Sequence, residues 1–268
     1  MIISGRLRGL NWLSGINWIG IGLIVGLLLI WQLLVSVGII NNPALSSPHG
    51  VFEGLRYLIS AGLLWPALLH TIRCVAIAWV IAVAVGGTFG LLLALNATVA
   101  SWTQASVDLL RSLPVVAFVP IAILIWGVGS KSEVILGAYA GLWPMLINTA
   151  GGVRGLPQRL REVALTLQLS RRATLTKIVV PSTGAAMIVG ARLALAASLV
   201  ICVVSEMTGL QAGIGNQLVL EQGAEQPSRM LAYVFVVGLL GLLANAGLVN
   251  AIRHAFPGIT ALTQRSIR

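Results

Sequence analysis

Six stretches of the chain, near residues 16–40, 66–95, 105–126, 133–152, 181–207 and 230–252, are strongly apolar and each about 20 residues or longer. That length lets an α-helix cross a bilayer, where the backbone has no water to bond and must satisfy itself. With 57% apolar and 9% charged residues, the composition excludes a water-soluble globule. The expected fold class is all-α: a polytopic membrane protein with six transmembrane helices in one domain, 1–268. The first run exceeds the roughly 7–15-residue core of a signal peptide and is expected to stay as an anchor.

The segments between the runs sort by charge. Arg6, Arg8, Arg154, Arg159, Arg161, Arg171, Arg172, Lys177, Arg253, Arg265 and Arg268 fall on one side of the expected bilayer, against Arg56, Lys131 and Arg229 on the other. The positive-inside rule then puts both termini and the 153–180 loop in the cytoplasm. Basic residues that follow topology, with no aromatic interleaving, point to lipid headgroups and away from nucleic acid. In the 41–65 loop, Ser47-Pro48 precedes a stripe of Val51, Phe52, Leu55, Leu58 and Ile59, which predicts a capped amphipathic helix on the outer surface.

No catalytic constellation is present, so the chain is not expected to be an enzyme. His49, His70 and His254 are far apart in sequence, and Cys74 and Cys202 lie inside apolar runs, so no metal site is expected. Gly129-Ser130-Lys131-Ser132 lacks the order of a phosphate loop, which leaves nucleotide binding to another chain. Small residues such as Gly86, Gly87, Gly90, Gly137 and Gly141 predict closely packed helices.

The 153–180 loop is long enough to hold structure of its own. Leu160, Val163, Ala164 and Leu167 form a helical apolar stripe, and Ser170 reads as the cap of a second short helix before Pro181 opens the fifth span. Such a bracket suits docking into a groove on a cytoplasmic partner.

The run Glu162-Val163-Ala164-Leu165-Thr166-Leu167-Gln168-Leu169-Ser170, followed by Lys177-Ile178-Val179-Val180-Pro181, resembles the EAA loop of ABC importer permeases. Two positions depart from the usual pattern, Val163 for Ala and Gln168 for a helix-ending Gly. Arg111-Ser112-Leu113-Pro114, Trp126-Gly127, Gly190-Ala191-Arg192-Leu193-Ala194-Leu195, Ser205-Glu206-Met207 and Gly213-Ile214-Gly215 resemble the nitrate, sulfonate and taurine branch, over about Trp31 to Pro257. The resemblance implies a type I importer permease-like fold with a coupling helix, formed here by Leu160, Glu162, Val163, Ala164, Leu167, Gln168, Ser170 and Arg171. It also implies a second permease copy, most simply a homodimer, two cytoplasmic ATPase subunits that hold ATP and Mg, and an extracytoplasmic substrate-binding protein. The location implied is the bacterial inner membrane.

Arg192 falls near the middle of the fifth span, where an unpaired Arg costs roughly 2.5–3.5 kcal/mol and must face protein or water. It is expected either to attract an anion in the pathway or to clamp helices. Asn148, Ser198, Cys202, Ser205 and Glu206 are the other pathway candidates, with Glu206 at the outer end either closing a gate or standing solvated. The expected substrate is a small anion such as a sulfonate, taurine or nitrate. The alternatives are a vitamin precursor, an aromatic carboxylate, or a secondary transporter working alone.

Overall fold

The computed structural model describes residues 18–39, 45–209 and 212–255. It is entirely helical among these residues, in eleven α-helices. Five are long and apolar enough to cross a membrane: α1 (Trp18–Ser36), α3 (Leu64–Leu95), α6 (Ser130–Arg154), α9 (Val180–Met207) and α11 (Pro227–Ala255). A sixth crossing is a broken pair, α4 (Ala97–Ser112) and α5 (Val119–Trp126).

That pair corrects the reading of one span over 105–126: the crossing begins earlier and is bent. Asn96 caps a helix that starts at once, its Oδ1 accepting from the Thr98 and Val99 amides at 3.1 and 3.2 Å. The two halves then meet at 82° around Leu113-Pro114. Pro114 has no amide to continue α4, and Leu113 before it is held extended at ψ 131°. Hydropathy runs through this break because the residues on either side of it, Leu109-Leu110 and Val115-Val116, are apolar.

The centre of the molecule is the α3–α6–α9 layer, and its close contacts explain the small residues. A Cβ on Gly90 of α3 would stand 2.7 Å from the Leu146 carbonyl oxygen of α6. One on Gly141 of α6 would stand 2.5 Å from Ser198 Oγ of α9. In lipid, where the hydrophobic effect cannot drive helices together, such approach maximises van der Waals contact.

At one end of this layer α2 (Pro48–Ser60) and α10 (Ile214–Gly223) fold over the bundle. Ser47 caps α2 as expected, accepting from the Gly50 amide at 3.1 Å. The helix does more than lie on a surface: Leu58 joins Leu64, Ala67, Ile214, Ala232, Tyr233 and Val236 in a buried cluster, while Phe52 and Ile59 stay exposed. At the opposite end sit α7 (Gln158–Thr166) and α8 (Arg171–Thr174). Ser170 caps α8 through the Ala173 amide, and the chain passes through a π turn at Leu175–Val179 into α9. Pro181 lacks the amide that an α-helix would pair with the Lys177 carbonyl, which accounts for the wider turn just before it.

Candidate functional site: cleft, knot and bracket

Arg192 stands on the exposed side of α9, and its Nε donates to Asn245 Oδ1 of α11 at 3.0 Å. Both line an open cleft of about 530 Å³ between these helices. Asn148 is half-buried on α6 and spends its amide on the Pro144 carbonyl of its own helix, at 2.8 Å. The four remaining pathway candidates share a different environment. Ser198, Cys202, Ser205 and Glu206 have no exposed surface, with Ser198 Oγ donating to the Gly137 carbonyl at 2.9 Å.

Glu206 lies on nearly the same face of α9 as Arg192, yet it is neither solvated nor open. The Ile214 amide donates to Thr71 Oγ1 at 3.0 Å, and Thr71 Oγ1 donates to Glu206 Oε1 at 2.7 Å. The Gly215 amide donates to Glu206 Oε2 at 2.8 Å. The carboxylate thus closes the N-terminus of α10, where free amides and the helix dipole favour an anion. The glycines around it are a spatial requirement. Gly213 has φ +96°, and a Cβ there would lie 2.1 Å from the Glu206 carboxyl carbon. One on Gly215 would lie 2.2 Å from the Val203 carbonyl oxygen. The Gly-Ile-Gly string is the shape of a backbone wrapped around a buried carboxylate.

Beside this knot lies a cluster that sequence spacing did not reveal. His70 and Cys74 are one turn apart on α3, and Glu133 enters from the first turn of α6, fully buried. His70 Nε2 is 3.0 Å from Glu133 Oε2 and 3.7 Å from Cys74 Sγ. The expectation of no metal site rested on the histidines being far apart from one another, and it passed over His70 and Cys74, which the packing joins to Glu133. The signal was the helical i, i+4 pair; its third member is 63 positions away from His70 and only the α3–α6 packing delivers it.

The bracket at the other end divides its apolar residues. Leu160 is half-buried and Ala164 is buried, both lining clefts shared with Leu95 and Val179. The centre of the expected docking stripe thus turns toward the bundle. Val163, Leu165 and Leu167 are instead 46%, 77% and 63% exposed, alongside exposed Glu162, Gln168 and Arg171. Gln168, standing where the resemblance has Gly, takes φ +46°. Its amide donates to the Leu165 carbonyl and that of Leu169 to Ala164, both at 3.0 Å. This is the Schellman ending that a Gly would give. The Gly62 turn after α2 makes the same pair of bonds with φ +71°.

Comparison with known proteins agrees with this architecture. The profile of the family described as "Binding-protein-dependent transport system inner membrane component" matches residues 86–257. An Escherichia coli permease named for aliphatic sulfonate transport is 30% identical over 227 residues, covering 82% of this chain and 84% of the relative. A bicarbonate transport system permease of Synechococcus elongatus is 30% identical over 233 residues, covering 83% of each. Among solved structures, an inward-facing MetNI methionine ABC transporter chain aligns with a TM-score of 0.59 at 15% identity, over 71% of this chain and 98% of that one, a likeness of fold. The matched profile spans both the packed α6–α9 core and the bracket, and the chain belongs to this family: it is a multi-pass ABC importer permease subunit of the nitrate, sulfonate and taurine branch, a transport component and not a catalytic enzyme.

Proposed function

We propose that this chain pairs with a second copy to enclose a pathway for a small anion, driven by two cytoplasmic ATPase subunits that grip the 153–180 bracket. A binding protein on the other side delivers the substrate, and both termini lie with the bracket in the cytoplasm. The observation that carries the reading is the exposed apolar surface of the bracket: Leu165 lines a cleft with Arg171 and Arg172, while Val163 and Leu167 stand exposed on another side of the same turn. Apolar side chains ringed by charge on a rigid short helix are the shape of a helix-in-groove contact. Movement of this bracket reaches the pathway directly, because α8 runs through the π turn into α9, the helix that carries Arg192.

The anionic substrate class is supported by Arg192, an exposed guanidinium on a long apolar helix whose described partner, Asn245, is neutral. Among the named relatives, one is a permease for aliphatic sulfonates and one for bicarbonate, both anions at neutral pH. The test of docking is Leu165→Glu. The variant is expected to insert and dimerise, to lose co-purification of the ATPase subunits, and to abolish substrate-stimulated ATP hydrolysis. Retention of a fully active complex would remove the docking assignment.

A further inference from the structure

The cluster of His70, Cys74 and Glu133 has a geometry beyond that of a hydrogen-bonded pair. One ligand atom from each of the three side chains lies within 4.8 Å of the other two. A tetrahedral zinc-type ion, with bonds of about 2.0–2.3 Å to N, O and S, separates its ligands by roughly 3.3–3.7 Å. His70 stands 3.0 and 3.7 Å from the other two ligand atoms, near that spacing, and Cys74 and Glu133 lie within 4.8 Å of each other.

Charge argues in the same direction. Glu133 has no exposed surface, and its Oε1 has no hydrogen-bond partner among the described residues. A buried carboxylate left half-satisfied is costly. The Cys74 thiol and a second buried carboxyl, Glu206, stand close to Glu133, so without a cation two carboxyl groups crowd one apolar site. A dication balances one carboxylate and one thiolate, leaving the ligand set neutral in a low-dielectric setting. Cys202 Sγ, 3.9 Å from the Glu133 backbone carbonyl, backs the cluster without joining it.

Access is present as well. His70 and Cys74 line a cleft of about 680 Å³ together with Arg73 and Gln217, so a water molecule can fill a fourth position. We propose that His70, Cys74 and Glu133 form a three-residue binding site for a divalent transition metal of the zinc type, tying α3 to α6 at the end remote from the bracket. Imidazole, thiolate and carboxylate together suit zinc better than magnesium or calcium, which take all-oxygen shells.

The test uses the full-length chain in nanodiscs, stripped with a chelator and titrated with Zn²⁺ or Co²⁺ alone. It is independent of transport, so its failure leaves the permease reading untouched. The expected result is one ion per chain and a cobalt spectrum with intense tetrahedral bands and a thiolate-to-cobalt charge-transfer band. Cys74→Ser should remove that band and weaken zinc binding at least about 100-fold, and His70→Gln should weaken it similarly. Cys202→Ser should keep the band. Absence of stoichiometric binding, a weak octahedral cobalt spectrum, or unchanged affinity in Cys74→Ser would overturn the proposal.

Discussion

The two ends of the bundle treat their polar and apolar groups in opposite ways. Where α10 covers the bundle, the knot turns polar groups inward and pairs them: Glu206, Thr71 and the Ile214 and Gly215 amides close on one another without exposed carboxylate surface. At the bracket, apolar groups go outside, with Leu165 77% exposed beside charged neighbours. The Glu206 knot is closed within this chain; the bracket is shaped for something not in it. That contrast assigns the partner surface with more force than hydropathy does, because exposed leucines in a polar loop have no lipid to explain them.

The comparison breaks most visibly if the knot can be cut without effect. Glu206→Ala leaves the Gly215 amide without its acceptor and the Thr71 hydroxyl with only the Ala67 carbonyl, and thermal unfolding in nanodiscs should show a loss of about 4 kcal/mol. Next in size is Gly215→Ala, whose Cβ meets the Val203 carbonyl oxygen at 2.2 Å; overpacking there should cost about 2 kcal/mol by the same assay. Little change in both would mean that α10 is a loose flap.

Arg192 sharpens the contrast from within α9, since it shares a helix with Glu206 but opens on a cleft. Arg192→Gln should lower anion uptake by tenfold or more with dimer and ATPase subunits still attached, while Arg192→Lys keeps a point charge and part of the rate. Uptake in reconstituted vesicles, scored against subunit stoichiometry, separates a pathway residue from a clamp. The smallest effect belongs to the bracket itself. Gln168→Gly relieves a left-handed residue and should stabilise the loop by about 1 kcal/mol, measured as slower amide exchange across α7.

Hydropathy made most of the crossings legible, because α3, α6, α9 and α11 each carry their apolarity in one unbroken run. The bend at Leu113-Pro114 was hidden in plain hydropathy, although Pro114 signals it locally. The burial of Glu206 was not legible for a different reason. Its cover is α10, ten residues that sit in a polar connection, and nothing along α9 announces that they fold back. The same holds for Glu133, whose partners on α3 are brought to it only by helix packing. The bracket's position was readable from its pattern, but which of its leucines face outward depended on Leu160 and Ala164 turning toward Leu95.

The most direct test of the two-ended account is protection from a thiol reagent on single cysteines, in a chain lacking Cys74 and Cys202. Leu165→Cys should label rapidly in the isolated permease and become protected when the ATPase subunits bind. Ser46→Cys, beside the α2 cap, should label equally in both states. Equal labelling of Leu165→Cys with and without the ATPase subunits would contradict the claim that the bracket is the end built for a partner.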